Sequence, residues 1–203
     1  MRTLNQEQQQ HITPKKALDL LIKGNERFVE NNTLHRDLVL QASMTRHDQF
    51  PFAALLGCMD SRAPAEHIFD QGIGDIFNIR VAGNIVNEDV LGSLEYACKV
   101  VGAKIIVVMG HTGCGAIKSA VEQVQMGNIT ALLSKIKPAI DLYKSSQQSN
   151  TIEMDRITIL NVQNSMNRIL KESPILSEML DNDEIMMVGA LYSVASGVVS
   201  FIK

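Results

Sequence analysis

The sequence has no excess of positive charge, no long apolar run and no close cysteine pair, and each absence narrows what the chain can do. With 19 Lys and Arg against 22 Asp and Glu, the formal net charge is −3. That balance argues against non-specific nucleic-acid binding, which needs a basic footprint. The longest apolar runs are strand-sized, well short of the ~20 residues of a membrane-spanning helix. The first residues, MRTLNQEQQQHITPKK, lack the apolar stretch of a secretory leader, so a cytoplasmic location is expected. No internal repeat and no Pro- or Gly-rich linker divides the chain. The 3 cysteines (Cys58, Cys98 and Cys114) are odd in number and include no Cys-x-x-Cys motif. Thiols in such a chain serve as core residues, metal ligands or nucleophiles.

What is present suits one domain. The 203 residues are 45% hydrophobic and 20% charged, ordinary globular usage and enough for a core without disulfides. QEQQQ near the start reads as a frayed end. Thr13-Pro14 is a helix start, and Ala17, Leu18, Leu21, Ile22 and Phe28 recur at helical spacing, which predicts a helix over 14–30. Residues 31–50 are polar and read as a short helix plus a long connection. Strands are expected at 53–57, 76–79, 104–109, 184–191 and 196–202. Helices are expected at 88–101, 115–126, 129–145 and 154–172, the last with imperfect periodicity. This alternation predicts an α/β fold: a mostly parallel central sheet flanked by helices, with the last two strands antiparallel at one edge. Ligands in such sheets bind beyond the carboxyl ends of the strands.

Three of those ends carry chemistry: Cys58-Met59-Asp60-Ser61-Arg62, Arg80-Val81-Ala82-Gly83-Asn84 and Gly110-His111-Thr112-Gly113-Cys114-Gly115. Converging at one sheet edge, they offer two thiols and an imidazole. Cys₂His is a catalytic zinc set with an open fourth position. The glycines let His111 and Cys114 face one ion, and the helix start behind Cys114 favours its thiolate. Two thiolates largely cancel the charge of Zn²⁺, so another group has to orient the reacting solvent. Asp60, two residues beyond Cys58, is the candidate, with Arg62 holding it ionised through a forked pair. Asp60 has a second role open to it, as a fourth zinc ligand that closes the site.

At these residues the chain resembles the β-class carbonic anhydrases. Cys58-Met59-Asp60-Ser61-Arg62 is similar to the family's CxDSR element, and His111-Thr112-Gly113-Cys114-Gly115 to its HxxCG element. Arg80-Val81-Ala82-Gly83-Asn84 is similar to R-x-A-G-N, Glu95-Tyr96-Ala97 to EYA, and Gly24-Asn25-x-Arg27-Phe28 to the N-terminal arm. The resemblance implies an N-terminal helical arm over 1–50 and a zinc-binding α/β domain over 51–203. It implies reversible hydration of carbon dioxide to bicarbonate and a proton by zinc-bound hydroxide. Cys58, His111 and Cys114 would be the Zn²⁺ ligands and Asp60 with Arg62 the catalytic pair. Gln49, Phe77, Gly83 and Tyr96 would contact substrate, Tyr96 from the other subunit of a homodimer, itself able to pair into a tetramer. Some bicarbonate-inhibited members carry a tryptophan where this chain has Leu55, and the chain has 0 tryptophans, so an open site with water on zinc is expected.

Other residues have plainer readings. Cys98 lies on the apolar stripe of a helix and reads as a core thiol. His11, His35, His47 and His67 read as surface or packing residues, although His35, His47 or His67 could relay protons. The 10 methionines read as core filler. Gly110 to Ser119 could cradle a phosphate, but Ala116 and Ile117 break the Walker spacing, and Gly72-Ile73-Gly74 falls short of a dinucleotide fingerprint. A non-catalytic zinc-binding relative and a redox role for Cys58 and Cys114 are further alternatives.

Overall fold

A computed structural model describes residues 3–146 and 152–202. Helices α1 (Gln6–Gln10), α2 (Pro14–Val29) and α3 (Leu38–Met44) precede β1 (Ala53–Gly57), α4 (Ala65–Ile68) and β2 (Ile76–Arg80). Then come α5 (Glu88–Glu95), β3 (Ile105–His111), α6 (Gly115–Val121), α7 (Gly127–Ser134) and α8 (Lys137–Ser146). Helices α9 (Met154–Glu172) and α10 (Pro174–Asp181) lead into β4 (Met186–Tyr192) and β5 (Val199–Ile202). The five strands lie in the order β2-β1-β3-β4-β5. The first three pairings are parallel and β4–β5 is antiparallel. This is the expected α/β architecture.

The sequence of β1 and β3 explains their central position. Both are buried along their whole length, as the AALLG and IIVVMGH runs require. Alternate side chains feed opposite layers. Ala54, Leu56, Ile106 and Val108 pack with Leu94, Val162, Ile169 and Leu176 on one face. Ala53, Leu55, Ile105, Val107 and Met109 pack with Ala17, Leu21, Ile68 and Phe69 on the other. Helix α2 therefore belongs to this chain's own core through Ala17 and Leu21, both fully buried.

Some local expectations change. QEQQQ is helical, not frayed: Asn5 and Gln8 form a reciprocal capping box. Gln9 is buried and its amide donates to the Pro51 and Val101 carbonyls at 2.8 and 3.1 Å, an anchor no local pattern announces. The helix expected over 129–145 is two helices, α7 and α8, with Pro138 in the first turn of α8, where a missing N–H is harmless. Helix α6 stops at Val121, and Gln123 beyond it adopts a positive φ of 55°. Helix α10 was not expected; its cap is Ser173, whose hydroxyl accepts from the Leu176 N–H.

Arg27 and Arg36 both pair with Asp70, whose side chain is 3% exposed, and the Leu34 N–H joins them. Burial pushes the Asp70 carboxyl up, but the two guanidinium groups outweigh it and hold it below its ordinary value. A depressed carboxyl adds stability above its unfolded pKa and loses it as pH falls through the native one. Asp70→Asn is thus expected to lower stability at neutral pH by ~3 kcal/mol, the scale of a broken buried pair. The gap to the parent protein should close on acidification below about pH 4. Urea unfolding at a series of pH values reads this directly; a gap that widens toward acid overturns it.

Candidate metal centre

The strand order sets three chain segments side by side. Gly57 of β1 is level with Arg80 of β2 and Met109 of β3. Cys58 therefore leaves the sheet beside Val81 on one side and the Gly110–His111 end of β3 on the other. From His111 the chain turns through Gly113, whose φ of 63° suits glycine, and places Cys114 at the start of α6.

Cys58, His111 and Cys114 are all buried, and their ligating atoms lie within 4.8 Å of one another. The two sulfurs are 4.0 Å apart. A disulfide needs about 2.05 Å. Two thiolates on a tetrahedral zinc at ~2.3 Å lie ~3.8 Å apart, close to what is found here. His111 Nδ1 is 3.0 Å from the Thr112 carbonyl, an acceptor that favours the tautomer with the proton on Nδ1 and the lone pair on Nε2. Nε2 is buried with no hydrogen-bond partner among the described residues. An orphaned imidazole nitrogen facing two thiols at metal-spanning separation fits a divalent soft cation.

The electrostatics agree. Cys58 is held far below the usual thiol range by the Cys114 thiol, against its burial, with His111 and the Gly83 N–H assisting. Cys114 moves up, because Cys58 beside it takes the negative charge and because it is buried. The N–H groups of Ala116 and Ile117 at the start of α6 do favour its thiolate, as expected, but do not prevail. Burial opposes protonation of His111, yet Cys58 and the Thr112 carbonyl outweigh it and raise its pKa. A cation among these groups would favour the thiolate form that Cys58 already prefers and that Cys114 resists on its own.

Asp60 borders this cluster, with Oδ2 3.8 Å from His111 Nε2. Arg62 grips it three times at 2.9 Å, through its backbone N–H, Nε and Nη2. The Arg62 guanidinium keeps the Asp60 carboxyl well below the usual carboxylate range. Arg62 Nη2 also donates to the Gly113 carbonyl at 3.3 Å, tying the first cysteine segment to the second. Arg80 adds a tie the sequence did not suggest: its guanidinium donates to the Cys58 and Asp60 carbonyls. Gly83 is also here, but its N–H donates to Cys58 Sγ at 3.3 Å, the donor that was expected to meet bicarbonate.

Gln49, Phe77 and Tyr96 are not brought to the cluster within one chain. Phe77 is level with Ala54, ~13 Å of strand before Cys58. Gln49 precedes β1, at the opposite end of the sheet from Cys58, and shares a cleft with Tyr96, Val101 and Lys104. Tyr96 is 54% exposed. Leu55 is buried in the core. Cys98 is buried, with its thiol pushed up to about 12 by burial, as suits a core residue. His11, His35, His47 and His67 are exposed.

Helix α9 contributes residues that sequence reasoning missed. Asp155 accepts from the Gly113 N–H at 3.4 Å, and Asn161 donates to the Gly83 carbonyl at 2.8 Å. A signal did exist: Asn161 and Ser165 interrupt the apolar stripe that runs from Ile157 to Ile169, the source of the imperfect periodicity.

Comparison with known proteins gives the same direction. Residues 53–199 match the sequence profile of the family described as carbonic anhydrase. Carbonic anhydrase 2 of Mycobacterium tuberculosis is 33% identical over 193 residues, 92% of each chain. The carbonic anhydrase of Mycolicibacterium smegmatis is 34% identical over 191 residues, 91% of each. Among solved structures, a β-carbonic anhydrase of Aspergillus fumigatus superposes with a TM-score of 0.74 at 24% identity over 81% of each chain, a likeness of fold. A tetrameric β-carbonic anhydrase of Sordaria macrospora does so at 0.71 and 25% identity, over 81% of this chain and 90% of that one. No described helix is long and apolar enough to cross a membrane. By its profile, its relatives and its sheet, this chain belongs to the carbonic anhydrases, lyases, and within them to the β class.

Proposed function

We propose that this chain catalyses the reversible hydration of carbon dioxide to bicarbonate and a proton, with one Zn²⁺ held by Cys58, His111 and Cys114. The observation that carries the reading is the orphaned His111 Nε2 facing two thiols whose sulfurs are 4.0 Å apart. A zinc ion there would acidify a water for attack on carbon, an effect for which the carbonic anhydrases are themselves the standard illustration.

The chain's own residues do the rest. Asp60, ionised and fixed by Arg62, accepts a hydrogen bond from the attacking oxygen and leaves its other lone pair aimed at carbon dioxide. Both Asp60 oxygens are engaged by Arg62, which favours the open arrangement over Asp60 as a fourth ligand. Arg80 holds the carbonyls of Cys58 and Asp60, so ligand and acceptor keep a fixed relation. Arm residues 1–50 and the zinc-binding domain 51–203 act as one unit, since α2 shares the core. Gln49, Phe77 and Tyr96 sit too far along the sheet to serve their own metal site; a homodimer or tetramer would let a partner copy supply them. The tetrameric Sordaria macrospora relative supports an oligomer. A cytoplasmic setting agrees with buried free thiols.

One purified sample tests this. Elemental analysis should find about one zinc per chain, stopped-flow indicator assays should show carbon dioxide hydration, and light scattering should give a dimer or larger. Stoichiometric zinc without hydration over a broad pH range would make the chain a non-catalytic relative. An active monomer would overturn the shared substrate pocket.

A further inference from the structure

Asn161 lies in the middle of α9 and is completely buried, on a face shared with Ile157, Thr158, Val162, Ser165 and Ile169. Its amide nitrogen donates to the Gly83 carbonyl at 2.8 Å, while its amide oxygen has no partner among the described residues. An amide buried with one end unmatched lowers stability relative to an apolar side chain of similar size. Core packing therefore does not account for an asparagine here; its donor does.

That donor acts on a peculiar turn. Residues Ala82–Asn84 form a single 3-10 turn in which Gly83 has a φ of 67° and a ψ of 21°. The turn has little room: a Cβ on Gly83 would meet Ile136 Cδ1 at 2.8 Å and Ala116 Cβ at 3.2 Å. One turn of α9 further on, the Ser165 hydroxyl donates to the next carbonyl, that of Asn84, at 3.0 Å. The N–H of Gly83 points the other way, at Cys58 Sγ, 3.3 Å away. A path of two hydrogen bonds thus runs from the Asn161 amide, through residue 83, to a sulfur of the metal site.

We infer that Asn161 is a positioning residue for the metal centre, setting the Gly83 N–H against the Cys58 sulfur and so tuning how much charge that sulfur passes to the ion. This rests on the reading of Cys58 as a ligand. A hydrogen bond to a ligating sulfur withdraws electron density from it and holds it in place. With two thiolates in the set, that withdrawal would leave a bound cation electron-poor enough to acidify solvent. Ser165 supplies the internal comparison. It holds the same turn, but one carbonyl further along, so a purely structural role for α9 predicts equal effects at both positions.

Cobalt(II) loaded in place of zinc reports on the sulfur through its thiolate-to-metal charge-transfer absorption. Asn161→Leu, which keeps bulk and removes the donor, is expected to move this band to lower energy and to weaken zinc retention roughly 10-fold, the lower end of outer-shell effects. Asn161→Ala should do the same and serves if the leucine variant does not fold. Ser165→Ala should leave the band in place. An unchanged band in a folded Asn161 variant, or an equal shift in Ser165→Ala, overturns the inference while leaving the metal site standing. Failure of the parent protein to show any cobalt–thiolate band removes the metal site itself, and this inference with it.

Discussion

Replacing Cys58 with serine is expected to strip the zinc and the carbon dioxide hydration from the protein together. The three ligating atoms within 4.8 Å of one another leave the cation no substitute donor of comparable softness if one sulfur goes. A serine hydroxyl stays protonated near neutral pH and cannot stand in for a thiolate. Cys58 is also the sulfur that carries negative charge most readily, because Cys114, His111 and the Gly83 N–H all stabilise it against burial. The fall in hydration should exceed the ~100-fold that loss of an outer-shell partner brings. Zinc content should drop from about one per chain to near none. Cys98→Ala is the control: its thiol is pushed up to about 12 by burial and lies in the core packed by Leu94 and Ala97, so that variant should keep its metal. Full zinc in Cys58→Ser would remove Cys58 from the ligand set.

Asp60→Asn is expected to keep the metal and lose the rate. Its carboxylate is outside the three-ligand group, so zinc stoichiometry should hold. Asparagine offers Arg62 one acceptor where the carboxylate offers two, and it turns an NH₂ toward the place where an acceptor is needed. Removing a group that orients charge and protons at the reacting atom typically lowers kcat by about 10²- to 10³-fold. The pH dependence follows from sign. Arg62 holds the carboxyl well below the ordinary carboxylate range, so Asp60 is ionised from mildly acid to alkaline pH. Any acid limb that the parent rate profile shows near neutrality should therefore not be titration of Asp60, and the Asn variant should keep that limb at the same pH with a lower plateau. A plateau equal to that of the parent would take Asp60 out of the mechanism.

The residues that carry these predictions were legible because their segments are short and sit at strand ends. Ala53–Gly57 is an unbroken apolar run, as is Ile105–His111 up to its final histidine, and such runs, buried on both faces, suit central strands. Once they are parallel neighbours, Cys58 and His111 leave from the same edge, and Gly113 brings Cys114 back toward them. The α1 anchor was hidden because Gln9 meets Val101 across 92 residues of chain. Asn161 was hidden likewise, since its carbonyl partner is 78 residues away. The split between α7 and α8 was misread because apolar periodicity continues across it.

Sequence by itself picked out the Cys58, His111 and Cys114 group as candidate ligands, the Asp60–Arg62 pair and the alternation of strands and helices, because each depends on residue type and close spacing. Only tertiary structure decided that Gln49, Phe77 and Tyr96 lie toward the far end of the sheet from Cys58, and that α9 reaches the sulfur through Gly83. Strand order and helix docking set those relations, and both arise from burying two faces of one sheet at once, a constraint on the whole chain that no local stretch contains.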